Sequence, residues 1–172
     1  MNKSLHATTD RLSILPLTEN DHHFIYELVN TEGWLTFIGN RNVESPAAAS
    51  DHILKILDNE KVRYWVVRLQ ENQMPLGVVT FIQRDYLEHP DIGFAFLPNF
   101  SGNGYAYEAT KAVLDALIAQ ENLSHILATT IPENVRSIHL LKKIGLDFER
   151  AIERENEILH VYGAPVGRLK AI

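Results

Sequence analysis

The chain has 172 residues, 45% of them hydrophobic and 22% charged, a size and balance that fit one compact globular domain (residues 1–172) with a sizeable core. A formal net charge of −6 argues against a nucleic-acid-binding surface, and no apolar stretch is long enough to span a membrane. With no cysteine there is no disulfide, no thiol nucleophile and no cysteine metal site; the N-terminal MNKSLHATTDR lacks the apolar core of a signal peptide, so a cytoplasmic protein is expected.

Taken in chain order, Arg11–Leu17 alternates and predicts a strand. Thr18 stands three residues before Asp21 as an N-cap with an acidic first turn, and Phe24, Ile25, Leu28 and Val29 give Glu19–Asn30 the single apolar face of a helix. The stretch 33–41, GWLTFIGNR, is aromatic and not clearly periodic. Ser45-Pro46 reads as a helix start, with Ala49, Ile53, Ile56 and Leu57 on one side. Arg63–Leu69 and Leu76–Gln83 are β-branched and aromatic runs joined by a turn at Glu71–Pro75, and Asp91–Leu97 is a further strand. A helix follows over Tyr105–Gln120, its buried stripe drawn through Ala106, Ala109, Val113, Ala116 and Leu117. His125–Ile131 predicts a strand. Asn134 caps a helix with Val135, Ile138, Leu141 and Ile144 inward, Gly145 ends it, and Asp147–Arg154 with Ile158–Tyr162 suggests a closing hairpin. The order is βααβββαβαββ, a mixed sheet with helices on both faces.

The most informative stretch is Asp91–Ala109, DIGFAFLPNFSGNGYAYEA. A strand, a turn containing Gly102 and Gly104, and a helix start together make an anion site, because the turn bares consecutive N–H groups and the helix adds unpaired donors at the positive end of its dipole. A phosphate or pyrophosphate is the expected ligand. The P-loop is excluded, since no Gly-Lys pair occurs in the chain, and the dinucleotide fingerprint is excluded because Tyr107 stands where a third glycine or alanine belongs. A plain strand–helix connection is the remaining alternative for the glycine turn alone.

The set of motifs in this order resembles the GCN5-related N-acetyltransferase (GNAT) family, and within it the branch of ribosomal-protein N-terminal acetyltransferases. TDRLSILPLTENDHHFIYELVN is similar to the family's first strand and helix, PLGVVTF to its third strand, DIGFAFLP to its fourth, NFSGNGYAYEA to its acetyl-CoA pyrophosphate loop, and PENVRSIHLLKKIGLDFE to a later helix and strand. The resemblance implies a GNAT-like three-layer α/β/α fold around a mixed, mostly antiparallel sheet of six or seven strands. It implies acetyl-CoA as cofactor and direct transfer of the acetyl group to a primary amine, on a protein N-terminus or a small molecule. Homodimers are common in such branches.

Residue by residue, the resemblance implies that the backbone of Phe94, Phe96 and Leu97 pairs with the pantetheine arm. Gly102, Asn103, Gly104, Tyr105 and Ala106 hold the pyrophosphate through N–H groups, and Asn134 and Ser137 flank the pantetheine and the sulfur. Two positions depart from the family's loop, Asn99 and Ser101, and Leu141 stands where many members carry a tyrosine acid. Ser137 is then the candidate donor to the leaving thiolate. Asp91, at the start of the fourth strand, is the candidate base, with an orienting or capping role as its alternative; an ordinary Asp titrates at about 3.9, so burial or a water chain is needed. Asn134 is also an ideal N-cap. Glu108 reads as structural, compensating the helix dipole and pairing with Lys111. Trp34, Phe37 and Arg41 lie on the segment the family uses as a lid over the acceptor, with ordinary core as the alternative for the two aromatics, and His89 is placed at the acceptor mouth. The eight histidines show no paired ligand spacing, so no metal is expected. Three functions remain open on sequence: an N-acetyltransferase, a GNAT-fold module that binds CoA or a partner without transfer, and a transferase of longer acyl chains.

Overall fold

The computed structural model describes residues 4–170. One sheet of eight strands carries the molecule: β1 (Ala7–Thr8), β2 (Leu12–Pro16), β3 (Val62–Leu69), β4 (Pro75–Ile82), β5 (Asp91–Phe96), β6 (His125–Thr130), β7 (Asp147–Arg154) and β8 (Glu157–Pro165). Their spatial order is β1-β2-β3-β4-β5-β6-β8-β7, and every neighbouring pair is antiparallel except β5 and β6. The count exceeds six or seven because β1 is only two residues long, too short to show any alternation in sequence.

Among the described residues six α-helices cover the sheet: α1 (His22–Val29), α2 (Glu32–Phe37), α3 (Pro46–Asp58), α4 (Tyr105–Gln120), α5 (Val135–Lys143) and α6 (Val166–Leu169). Alternation along each strand sends side chains to two cores. On one face Phe24, Ile25, Leu28 and Val29 of α1 and Ala49, Ile53 and Ile56 of α3 pack with Trp34 of α2 on Val66 and Val78. On the other, Ala109, Val113, Leu114 and Leu117 of α4 pack with Leu141 and Ile144 on Trp65, Val67, Val79 and Ile92. The three-layer α/β/α expectation therefore holds.

Five local expectations change. Leu57, drawn on the packed side of α3, is exposed. The first predicted helix divides into a 3-10 turn, Glu19–Asp21, and α1, because Asp21 turns its carboxylate back onto the Thr18 N–H at 2.8 Å and also pairs with Arg68. The aperiodic stretch 33–41 contains most of α2, capped by Thr31, whose Oγ1 accepts from the Trp34 N–H at 3.3 Å. Six residues make under two turns, too few to trace a stripe. Val135 faces out, at 58% exposure, not in. Residues spaced by three drift about 60° per step, so Val135 lies about 120° around the helix from buried Leu141. Lys111 pairs with Asp115 rather than with Glu108.

Glu108 instead ties α4 to the start of β2. Its Oε2 accepts from Thr9 Oγ1 at 2.8 Å and its Oε1 from Arg11 Nε at 3.0 Å. Glu108→Ala is expected to cost about 1 kcal/mol and lower the Tm by about 2–4 °C, without weakening acetyl-CoA binding, since no cofactor contact and one nearby negative charge are removed. Thermal unfolding beside a binding titration checks both parts.

Candidate active site

β5 and β6 meet at one parallel pair, Asp91↔Leu127, with the Leu127 N–H donating to the Pro90 carbonyl at 2.9 Å. Beyond that point they diverge. Along a strand, N–H and C=O groups point alternately to the two neighbours. The Leu97 N–H donates to Leu76 O at 2.8 Å, toward β4, so the backbone groups of Phe94 and Phe96 point the other way, into the splay, where no strand meets them. An interior strand with unpaired backbone is an edge waiting for an extended partner. Phe94 and Phe96 line the resulting cavity of about 680 Å³; Leu97 does not, because its N–H and its buried side chain belong to the β4 and α1 side.

At the upper end of the splay the chain passes through the glycine turn into α4. Gly102 and Gly104 hold φ of 82° and 80°, the left-handed region, and Gly104 is the N-cap residue with no side-chain cap on the helix. The N–H groups of Tyr105, Ala106 and Tyr107 are thus first-turn donors without capping partners, and the first helical bond is Glu108 N–H to Gly104 O at 3.0 Å. Gly102, Gly104, Tyr105 and Ala106 line the cavity. Asn103 does not; its Nδ2 lies 3.4 Å from the Ser101 carbonyl. Cations gather here that the sequence did not single out. Arg136 and Lys143 line the cavity, with Lys143 Nζ 4.3 Å from the centre of the Tyr107 ring. Arg11 lies 4.4 Å over the Tyr105 ring and 3.6 Å from where a Cβ on Gly104 would stand.

α5 forms the opposite wall. Asn134 caps it, its Oδ1 accepting from the Ser137 N–H at 3.3 Å. Ser137 is half-buried on the cavity wall, and among the described residues its hydroxyl has no hydrogen-bond partner. Leu141, where a tyrosine acid is absent, is buried beside it.

Asp91 stands at the point of the splay, 2% exposed. Arg84 Nε at 3.1 Å and Thr129 Oγ1 at 2.9 Å both donate to its Oδ2; Oδ1 accepts no hydrogen bond among the described residues. Burial pushes this carboxyl above the ordinary aspartate range, against the opposing pull of Arg84 and of the Thr129 and Arg84 hydrogen bonds. Burial alone would lower the Arg84 guanidinium, but the charge and hydrogen bond of Asp91 hold it above its usual value. The pair is lopsided: Arg84 is about one-third exposed and gains from its partner, whereas Asp91 does not recover what burial takes. Tyr64, partly buried on the same wall, is raised chiefly by desolvation.

Trp34, Phe37 and Arg41 line the cavity on the side of α1 to α3. His89 does not line it; its ring lies 5.0 Å from that of His125. Arg84, Thr129, Tyr64, Arg136 and Lys143 are the site residues that sequence reasoning missed. Thr129 alone carried a usable signal: it lies two residues beyond Leu127, on the face shared with Asp91, but only once the parallel register is known.

A sheet opened at one parallel pair, with free strand backbone, a glycine turn feeding a helix start and a rim of cations, defines a protein that binds an extended ligand ending in phosphates. The chain belongs to the GNAT acetyltransferase family: residues 11–147 match the family model described as acetyltransferase (GNAT) domain. It is 30% identical over 158 residues to the uncharacterized N-acetyltransferase YnaD of Bacillus subtilis, covering 89% of this chain and 91% of that one. The fold matches a GNAT-family acetyltransferase from Bacillus anthracis with a TM-score of 0.80 at 23% identity, over 95% of this chain and 99% of that one. It also matches the spermidine N-acetyltransferase of Vibrio cholerae, solved with CoA and spermine, with a TM-score of 0.79 at 20% identity, over 94% and 99% of the two chains. The protein is accordingly an acetyltransferase that uses acetyl-CoA. The splay, the donors of the turn and the cations suit that cofactor's extended arm and its phosphates.

Proposed function

We propose that the protein transfers the acetyl group of acetyl-CoA directly to a primary amine, with Asp91 as base and Ser137 as donor. The observation that carries this reading is the confluence of three features in one cavity: the free backbone of Phe94 and Phe96, the open Oδ1 of Asp91 and the unpartnered hydroxyl of Ser137. When bound, acetyl-CoA supplies an acetyl group activated as a thioester. The N–H groups of Gly102, Gly104, Tyr105 and Ala106 hold the phosphates, and Arg136 and Lys143 add charge. Phe94 and Phe96 align the arm as a strand would and aim N–H groups at the reacting carbonyl. Asp91 Oδ1 takes the proton of the entering amine, while Thr129 and Arg84 fix the carboxylate through Oδ2. Ser137 Oγ–H delivers a hydrogen bond where the sulfur departs. Holding both reactants in this cavity contributes up to about 7–11 kcal/mol of barrier lowering. Trp34, Phe37 and Arg41 shape the acceptor side.

Titration calorimetry with acetyl-CoA and an amine panel read by CoA release test this reading together. Micromolar binding with amine-dependent release supports it. No binding by the folded protein removes it, and binding without release for any amine leaves a CoA-binding module in its place.

A further inference from the structure

The proposed acetyl transfer leaves the acceptor unnamed, and the acceptor side of the cavity carries chemistry that narrows it. Between α2 and the sheet this side is walled by Trp34, Phe37, Tyr64, Arg41 and Arg84, with Asp91 at its floor. Asp91 is the only carboxylate among the described residues that line the cavity, and Arg84 already pairs with it. Arg41 makes no hydrogen bond or ion pair among the described residues; its charge acts on Tyr64 and His52 through space. Arg84 bonds Asp91 through Nε alone, and its two terminal nitrogens make no other hydrogen bond among those residues. Trp34, 5% exposed, buries its indole N–H without an acceptor. Two guanidiniums stand against one carboxylate.

Such a wall disfavours a polyamine, whose second ammonium would enter a space that is already cationic. It suits an acceptor bringing its own anion, and a planar guanidinium matches a carboxylate in two bonds. Arg84 and Asp91 touch, so an amine at Asp91 and a carboxylate at Arg84 are close neighbours, as in an α-amino acid. We propose that the acceptor is a primary amine that also carries a carboxylate, an amino acid or a short peptide, with Arg41 and Arg84 holding the carboxylate while Asp91 faces the amine. This rests on the acetyltransferase reading above.

The test compares free α-amino acids and short peptides with the same compounds as C-terminal amides and with spermidine, by acetyl-CoA-dependent CoA release. For the best acceptor, the acid is expected to exceed its amide in kcat/KM by about 10- to 100-fold, the worth of charge-assisted hydrogen bonds. Arg41→Gln is expected to lower that acid-to-amide ratio by about tenfold, and Arg41→Lys to keep part of it. Amino acids turning over with dipeptides inert identify the free amino acid as the source; the reverse identifies the peptide. As a readout apart from turnover, the N-acetylated acid is expected to raise the Tm of the CoA-saturated protein more than its amide does. Spermidine or the amides serving as well as the acids, an acid-to-amide ratio untouched by Arg41→Gln, or no acid accepted by a protein that binds acetyl-CoA overturns the proposal. Failure to bind acetyl-CoA in the calorimeter instead overturns the acetyltransferase reading beneath it.

Discussion

Asp91→Asn is expected to lower kcat by about 10²–10⁴ while leaving the affinity for acetyl-CoA within about twofold of wild type. Asparagine matches aspartate in shape, and its carbonyl oxygen can still accept from Thr129 Oγ1 and Arg84 Nε, the two donors that fix the side chain. What it lacks is a basic oxygen in place of Oδ1. A group that only oriented the amine would lose far less on this exchange, so a change in kcat below about tenfold assigns Asp91 to positioning instead.

The pH dependence follows from the raised carboxyl. Asp91 must be ionised to take a proton, so kcat/KM is expected to rise with pH through a value above the ordinary aspartate range, and Asp91→Asn to abolish that limb. Thr129→Val deletes a hydrogen bond that favours the ionised form, so its acid limb is expected at higher pH than in wild type. Stability carries the opposite sign. A carboxyl raised by folding contributes stability that is complete below its unfolded value of about 3.9 and is lost as pH rises through its folded value. Asp91→Asn, neutral at every pH, should therefore gain stability relative to wild type across that interval, whatever the difference at acid pH. Denaturant titrations at several pH values read this directly, and a mutant-minus-wild-type stability that falls or stays flat with rising pH contradicts the burial argument.

The elements legible in the sequence are those whose pattern is long. α4, α5 with its Asn134 cap, and β3 to β6 declare themselves through period and punctuation, and the order of motifs places the glycine turn after β5. α2 and β1 are too short for a period to form, and α2 carries the Trp34 and Phe37 wall of the acceptor side. The site divides in the same way. Much of its cofactor half is local: Phe94, Phe96, Gly102, Gly104, Tyr105 and Ala106 fall within thirteen consecutive positions, whereas Arg136 and Lys143 come from α5 and gave no signal. Its acceptor half is assembled across the sheet: Arg84 comes from a polar loop and Tyr64 from β3, and Thr129 of β6 reaches Asp91 because β5 and β6 pair there. No spacing in the chain encodes that register. His89 shows the converse: a residue near Asp91 in sequence whose ring lies against His125 and does not line the cavity.

Gly102→Glu is expected to weaken acetyl-CoA binding by about 100-fold or more in the calorimeter, in a protein that remains folded. Gly102 sits at φ 82°, so any side chain there is strained by about 1–2 kcal/mol, but nothing lies within 4 Å of the position its Cβ would take. Bulk is therefore accommodated, and the new carboxylate is left among N–H groups and cations that otherwise face phosphate; like charges so placed cost several kcal/mol. Gly102→Ala carries the strain without the charge and is expected to lose less than about fivefold. Gly104→Glu supplies the sharper comparison. At φ 80° its strain is the same, but its Cβ would stand 3.6 Å from an Arg11 terminal nitrogen. The new carboxylate can turn to Arg11, in competition with Glu108, and so be partly neutralised before it meets the phosphates. The loss at 104 should therefore be smaller than at 102, and removing the guanidinium with Arg11→Ala should bring the two closer together. Equal losses in both glutamate variants with Arg11 present would mean that backbone strain, not charge, governs the turn.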